Sequence, residues 1–161
     1  MIAQDLDLTQ PAHRRTIAVL IAQKLAGHTF PGEEKRIDRA VKIVLQGHVD
    51  LLEDGTARVA CQSQTGSHYR VVNGHCGCPD QQAPAQRCKH RLALALERKA
   101  RRLIATQWYA QDSRDGTWGI ATSVTLPEAP SYACWLLSTP ADPTPRYVPD
   151  TALVLGTHCG A

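Results

Sequence analysis

The first third of the chain repeats its hydrophobic residues with the period of an α-helix. Two such segments are separated by a break at residues 30–32, and each is followed by a glycine. They predict helices over 11–26 and 33–46. The apolar positions are Ile17, Leu20, Ile21 and Leu25 before Gly27, and Ile37, Val41, Val44 and Leu45 before Gly47. Two such helices are compatible with a helix-turn-helix, but no recognition-helix pattern is present, so we expect a packing platform for a sheet.

The pattern then changes to short apolar runs divided by turn residues. Strands are predicted over 49–53, 56–61 and 68–72. Asp54 and Gly55 form a favourable hairpin turn between the first two strands. Asn73 and Gly74 bend the third strand toward the segment that follows. We therefore expect a small antiparallel sheet that leads directly into residues 76–90.

A third helix is predicted over 87–105, and beyond it the pattern weakens. Its apolar positions are Leu92, Leu96, Leu103 and Ile104, with Ala95 and Ala100. The runs 118–126 and 132–137 have strand character, but six prolines interrupt residues 127–149, and 140–149 resembles a linker. We expect an irregular, partly β extension, at best partly ordered. Its Trp and Tyr residues favour a hydrophobic cover or a partner-binding tail over stacking on unpaired bases.

Candidate chemistry is concentrated between the sheet and the third helix. Cys76 and Cys78 form one closely spaced pair, Cys88 and His90 form another, and all four lie within fifteen consecutive positions. Three thiols and one imidazole suit a single tetrahedral Zn²⁺ with no vacant position, which describes a structural site. Ordinary buried thiols or half of a disulfide framework are the alternatives, and His75 is a competing ligand.

Local sequence supports ligation at both pairs. Gly77 permits a tight bend through a positive φ, and Pro79 fixes φ at the exit from that bend. Cys88 falls where the third helix begins, with Arg87 and Lys89 beside it. A helix N-terminus and neighbouring cations both favour the thiolate form that metal binding needs.

The same residues carry a resemblance to a known family. The run Tyr69-Arg-Val-Val, followed by Cys76-x-Cys78-Pro-Asp80 and Cys88-Lys-His90, resembles the SWIM-type zinc finger. The resemblance covers roughly 49–105 and implies a compact strand–strand–helix unit that binds DNA or proteins, with zinc on Cys76, Cys78, Cys88 and His90. No transposase or helicase motif accompanies it, so the process that the finger serves stays open.

Charge is distributed unevenly around this motif. Residues 1–106 hold 16 Lys and Arg against 10 Asp and Glu, while 107–161 hold 2 against 5. The third helix is the most basic element, and such a face attracts phosphates without regard to base sequence. Candidate phosphate contacts are Lys89, Arg91, Arg98, Lys99, Arg101 and Arg102. Cations near a helix C-terminus also stabilise the helix dipole, which accounts for one or two of them.

These observations predict an α+β protein in three segments: helices in 1–47, a zinc-finger domain in 48–106 and the extension in 107–161. We expect a zinc module that binds nucleic acid, DNA in preference to RNA, with weak sequence preference. The alternative is a protein-interaction adaptor on a larger recombination, transposition or replication enzyme. No catalytic constellation is present, and His90 is followed by Arg91 rather than by the Glu of zinc deaminases, so we do not expect an enzyme.

The chain also gives an expectation about its location. Residues 1–7 are polar and acidic rather than signal-peptide-like, and no apolar run reaches about 18 residues. We expect a soluble cytoplasmic protein that does not enter a membrane.

Overall fold

The structure, a computed structural model, describes residues 7–82, 87–126 and 129–160, without the side chains of 81–86 and 126–134. Within these limits it contains three α-helices and two antiparallel sheets, which confirms the α+β class. The helices are α1 (Pro11–Thr29), α2 (Glu34–Leu45) and α3 (Lys89–Ile104). The first sheet comprises β1 (Val49–Leu51), β2 (Ala57–Ala60), β3 (His68–Val72) and β4 (His75–Cys76). The second comprises β5 (Gln107–Asp112), β6 (Trp118–Leu126), β7 (Ala129–Ser138), β8 (Arg146–Val148) and β9 (Leu153–His158).

The two N-terminal helices form where the apolar period predicts them. Gly47 follows α2 with a φ of 73°, the left-handed conformation that glycine adopts at low cost at a helix end. Gly27 does not play that part, because α1 continues to Thr29, and the turn falls at Gly32 with a φ of 86°. The predicted end of α1 is therefore wrong by three residues.

The first sheet has the strand order β1-β2-β3-β4 and follows the predicted hairpins. Val49 pairs with Val59 across the first hairpin, and Val59 pairs in turn with Tyr69. Asn73 and Gly74 both take positive φ, 49° and 77°, and so return the chain into the short strand β4. There Val71 pairs with Cys76, so the sheet register itself places the first cysteine of the motif.

The C-terminal third is more regular than predicted. Strands β5 to β9 form one sheet in the order β8-β7-β6-β5-β9, so an irregular extension with a linker at 140–149 is not what the described residues show. Strand β8 lies inside that proline-rich stretch, because its prolines flank the strand and leave Arg146–Val148 free to pair with β7. The predicted break at Pro127 lies outside the described residues.

Aromatic side chains of this sheet have partners within the chain. Trp118 stacks on Tyr109 at 5.4 Å between ring centroids, and Trp108 meets the His158 ring edge-on at 5.0 Å. Trp135 donates its indole N–H to Asp150 Oδ1 at 2.9 Å. These contacts support the predicted hydrophobic cover, whereas the side chain of Tyr132 lies outside the described residues.

Buried charge also fixes the second sheet. Asp112 ends β5 with a fully buried side chain that accepts hydrogen bonds from Arg114 at 2.7 Å and from Arg146 of β8 at 3.3 Å. The hydrogen bond from the adjacent Arg114 guanidinium lowers the pKa of Asp112 to about 2. The carboxylate therefore stays charged across the physiological range and ties the β5–β6 turn to β8.

One hydrophobic core joins all three predicted segments. It includes Ile17 and Ile21 of α1, Val59 of β2, Leu92 of α3 and Ile120 of β6, all at most 1% exposed. Helix α1 also contacts the second sheet through Gln107, which donates a side-chain hydrogen bond to the Arg14 carbonyl at 3.0 Å. The segments 1–47, 48–106 and 107–161 therefore pack around a shared interior.

A buried carboxylate ties the three helices together. Glu97 of α3 is 2% exposed, and it accepts hydrogen bonds from Arg15 of α1 at 2.5 Å and from Arg101 at 2.8 Å. Arg15 also donates to the Val44 carbonyl in α2 at 3.3 Å. A buried charge needs such partners, because its lost hydration must be replaced.

Replacing Glu97 with Ala is expected to destabilise the protein by about 2 kcal/mol, since the half-buried Arg15 would keep its charge without a carboxylate partner. Urea unfolding followed by circular dichroism measures this change. Glu53→Ala is the matched control, because Glu53 is exposed on the β1–β2 turn. Equal effects of the two substitutions would contradict the role assigned to Glu97.

Candidate metal centre

Four candidate ligands converge at the junction of the first sheet and α3. The donor atoms of Cys76, Cys78, Cys88 and His90 all lie within 4.8 Å of one another. All four residues are buried: Cys76 is 6%, Cys78 4%, Cys88 0% and His90 3% exposed. The structure therefore brings together the whole predicted ligand set as a group that can hold one metal ion.

Each pair is positioned by the element that carries it. Cys76 lies in β4, and Cys78 directly precedes a 3₁₀ turn over Pro79–Gln82. Cys88 is the N-cap of α3, where its Sγ accepts the backbone N–H of Arg91 at 3.4 Å, and His90 lies in the first turn. Gly77 has no positive φ, so the reason predicted for that glycine is wrong; the left-handed residues are Asn73 and Gly74.

The competing ligand His75 is absent from the described cluster. It lies next to Cys76 in β4, where successive side chains point to opposite faces, and it is exposed while Cys76 is buried. Strand alternation therefore selects His90 as the imidazole of the site.

The His90 ring lies in surroundings that suit a metal ligand. Among the described residues its Nε2 is buried without a hydrogen-bond partner, and its Nδ1 lies 3.8 Å from Cys76 Sγ. The ring of Tyr69 packs against it at 4.8 Å between centroids. Four donors bound at about 2.0–2.3 Å from one ion lie roughly 3.5–3.8 Å apart, so only a small contraction of the cluster is needed. The residues present thus fit a closed tetrahedral site.

Burial keeps the metal-free thiols of Cys76 and Cys88 neutral. It raises the pKa of Cys76 to about 12 and also raises the pKa of Cys88, although the Arg91 N–H bonded to Cys88 acts in the opposite direction. Burial lowers the pKa of His90, which keeps the imidazole in its neutral, ligating form. The helix N-terminus favours the thiolate of Cys88, as the sequence analysis expects, but the opposing effect of desolvation on its pKa is larger.

The structure gives no support to a disulfide framework. Cys61 and Cys159 are buried free thiols, as are the three cluster cysteines, and the side chain of Cys134 lies outside the described residues. Cys61 is placed near Ser63, at 3.1 Å between Sγ and Oγ, and is not a member of the cluster.

The six basic residues predicted on α3 have different environments. Arg101 is paired with Glu97, and Arg98 donates to the Gly55 carbonyl of the β1–β2 turn at 2.7 Å. Lys89, Arg91 and Lys99 are half-buried, whereas Arg102 is exposed. Arg91, Arg98 and Arg102 recur at steps of seven and four residues and so share one stripe of the helix.

Comparison of the chain with known proteins found no significant match. No family model, no curated protein and no solved structure matches the chain significantly. The similarity to SWIM-type fingers consequently rests on the Cys-x-Cys and Cys-x-His pairs and the strands that lead into them. Among the described helices, none combines the length and apolar character that crossing a bilayer requires.

The double substitution Cys88→Ser with His90→Ser is expected to abolish metal binding, because it removes two of four ligands and leaves the site unable to enclose an ion. Native mass spectrometry of the purified variant measures the bound metal. Cys61→Ser is the control and should keep one ion per chain. A metal ion retained by the double variant would disprove this ligand set.

Metal affinity is expected to decrease steeply as the pH is lowered. Binding requires thiolates, and since burial raises the pKa of Cys76 and Cys88, at least two protons must leave at neutral pH. The apparent association constant should drop by at least about 100-fold for each pH unit between pH 8 and 6.5. Calorimetry in two buffers of different ionisation enthalpy counts the protons released. Release of fewer than one proton would show that the thiolates are already formed.

Proposed function

We propose that this protein is a structural-zinc module of the SWIM type that binds nucleic acid, DNA in preference to RNA. Binding would use the basic face of α3, which is the stripe that carries Arg91, Arg98 and Arg102. The observation that carries the proposal is the position of the four-ligand cluster at the start of that helix. An ion bound there would fix the N-terminal turn of α3 to the sheet and hold the helix in one orientation.

The donor set supports zinc among the common metals. Three cysteines favour a soft or borderline ion, and one imidazole completes a four-coordinate sphere with no position for substrate. The role proposed for the ion is therefore to stabilise the fold. Catalysis is not part of the proposal.

The charge distribution of α3 supports phosphate as the ligand of its exposed side. Arg98 and Arg102 are exposed and lie one turn apart, and within the described chain neither pairs with a carboxylate. Two guanidinium groups in this position neutralise phosphates and release counterions, an attraction independent of sequence. Arg101 is a weaker candidate for a phosphate contact, because its guanidinium is bound to Glu97.

Reversing two charges on α3 is expected to weaken binding to duplex DNA by at least about tenfold at low salt. The variant is Arg98→Glu with Arg102→Glu, and the plot of log affinity against log salt should become shallower by about 2. The matched control, Lys35→Glu with Arg39→Glu, applies the same charge change to exposed positions of α2. Fluorescence anisotropy with a random duplex and a random single strand provides the measurement. Equal losses of affinity in both variants would mean that net charge alone accounts for the effect. No loss of affinity in either variant would refute binding through the basic face.

A protein-interaction adaptor is the second candidate, and one observation favours it. Strand β9 lies at the edge of the second sheet and exposes Val154 by 56% and Leu155 by 44%. An uncharged edge of this kind can pair with a strand of another protein. Two results together would favour this candidate over the first. The protein would bind a single stoichiometric partner that the Leu155→Lys variant no longer binds, and it would show no measurable binding of nucleic acid.

A further inference from the structure

Three arginines surround one cleft beside the candidate metal centre. The cleft holds about 190 Å³ between the first half of α3, the Asn73-Gly74 turn and Phe30. Arg87, Arg91 and Arg98 line it, and its remaining lining is apolar side chains and Gly74. No acidic residue is among its described lining, so the cleft is positively charged.

These arginines differ from most others in the chain. Among the described residues, ion pairs with carboxylates are formed by Arg15, Arg58, Arg70, Arg101, Arg114 and Arg146. Within the described part of the chain, Arg87, Arg91 and Arg98 form none. Guanidinium groups gathered at one place repel one another, and an anion between them would remove that repulsion.

Two of the three side chains are nevertheless held by contacts within the chain. The Arg87 guanidinium lies over the ring of Phe30 at 4.1 Å from its centroid, and Arg98 donates to the Gly55 carbonyl at 2.7 Å. Arg91 lies against Gly74, where a Cβ would come within 3.6 Å of its Nη2. A guanidinium carries five N–H donors, so Arg98 keeps donors for a ligand after bonding Gly55. Arg87 and Arg98 are therefore positioned before a ligand binds.

Arg91 supplies the most specific indication of a ligand. Its Nε is buried and has no hydrogen-bond partner among the described residues. A buried donor without an acceptor costs free energy. Because the atom is covered, a ligand oxygen in the cleft would reach it only after a small movement of the Arg91 guanidinium.

We propose that this cleft binds a terminal phosphate monoester of a nucleic-acid strand. A monoester enters a recess by its free end and presents three acceptor oxygens and nearly two negative charges at neutral pH. A phosphodiester carries one charge and continues the chain on both sides, so it fits an open surface better than a recess. This inference rests on the proposed nucleic-acid binding and adds that the protein distinguishes a phosphorylated strand end from a hydroxyl end.

The alternative role of the arginines is to balance the thiolate charge of the metal centre. A Zn²⁺ with three thiolates carries a net charge of about −1, and the Arg91 backbone N–H already bonds Cys88 Sγ. One cation offsets that charge, so charge balance alone does not account for three arginines at one cleft.

The test compares one single-stranded DNA sequence with a 5′-phosphate, a 3′-phosphate or hydroxyl ends, bound to the full zinc-loaded chain. Anisotropy titrations should show about tenfold tighter binding of one phosphorylated end than of the hydroxyl form. Arg91→Gln should remove that preference and keep one zinc per chain. Arg102→Gln, outside the cleft on the same stripe, should weaken all three strands alike and keep the preference.

Failure of this inference is distinguishable from failure of the proposed function. Equal binding of all three strands, or zinc loss in Arg91→Gln, overturns the terminal-phosphate site and leaves nucleic-acid binding standing. If no strand binds, the proposed function is refuted. The cleft is then tested by titrating the protein with inorganic phosphate and following the NMR resonance of Arg91 Nε–H. A saturable shift at millimolar phosphate, absent with chloride, would identify the cleft as a site for free phosphate, and no shift would remove it as an anion site.

Discussion

The candidate site depends on one constraint. Two cysteines from the end of a sheet converge with a cysteine and a histidine from the start of a helix. The four donors lie within 4.8 Å of one another and are almost completely buried. Because Cys88 is also the N-cap of α3, whatever holds the cluster together also fixes the direction in which that helix leaves the sheet. The basic stripe and the arginine cleft both derive their position from it.

Four arginines of α1 and α3 fall into two groups with different physical roles. Arg15 and Arg101 hold the buried Glu97, where they replace the water that the carboxylate loses on folding. Arg91 and Arg98 lie further round α3, at a cleft without acidic lining. A count of positive charges along the sequence treats both groups alike. Only their neighbours separate the charges that stabilise the fold from those available to a ligand.

The five-stranded C-terminal sheet changes how the motif is understood. It contributes Ile120, Val124 and Leu136 to the core that α1 and α3 share, so residues 48–106 do not pack as a separate unit. Its edge strand β9 leaves Val154 and Leu155 exposed on a surface that differs from the basic face of α3. The protein thus presents a charged surface near the cluster and an apolar edge in the second sheet.

The sequence by itself determined the elements and contacts that short-range chemistry controls. The helical period gave α1 and α2, the turn residues gave the hairpins of the first sheet, and close spacing within the Cys-x-Cys and Cys-x-His pairs gave all four candidate ligands. Tertiary structure alone decided the rest. It paired β5 with both β6 and β9 and buried Glu97 between two arginines. These outcomes depend on contacts between residues far apart in the chain, and local hydrophobic patterns carry no information about which distant partner a strand or charge will meet.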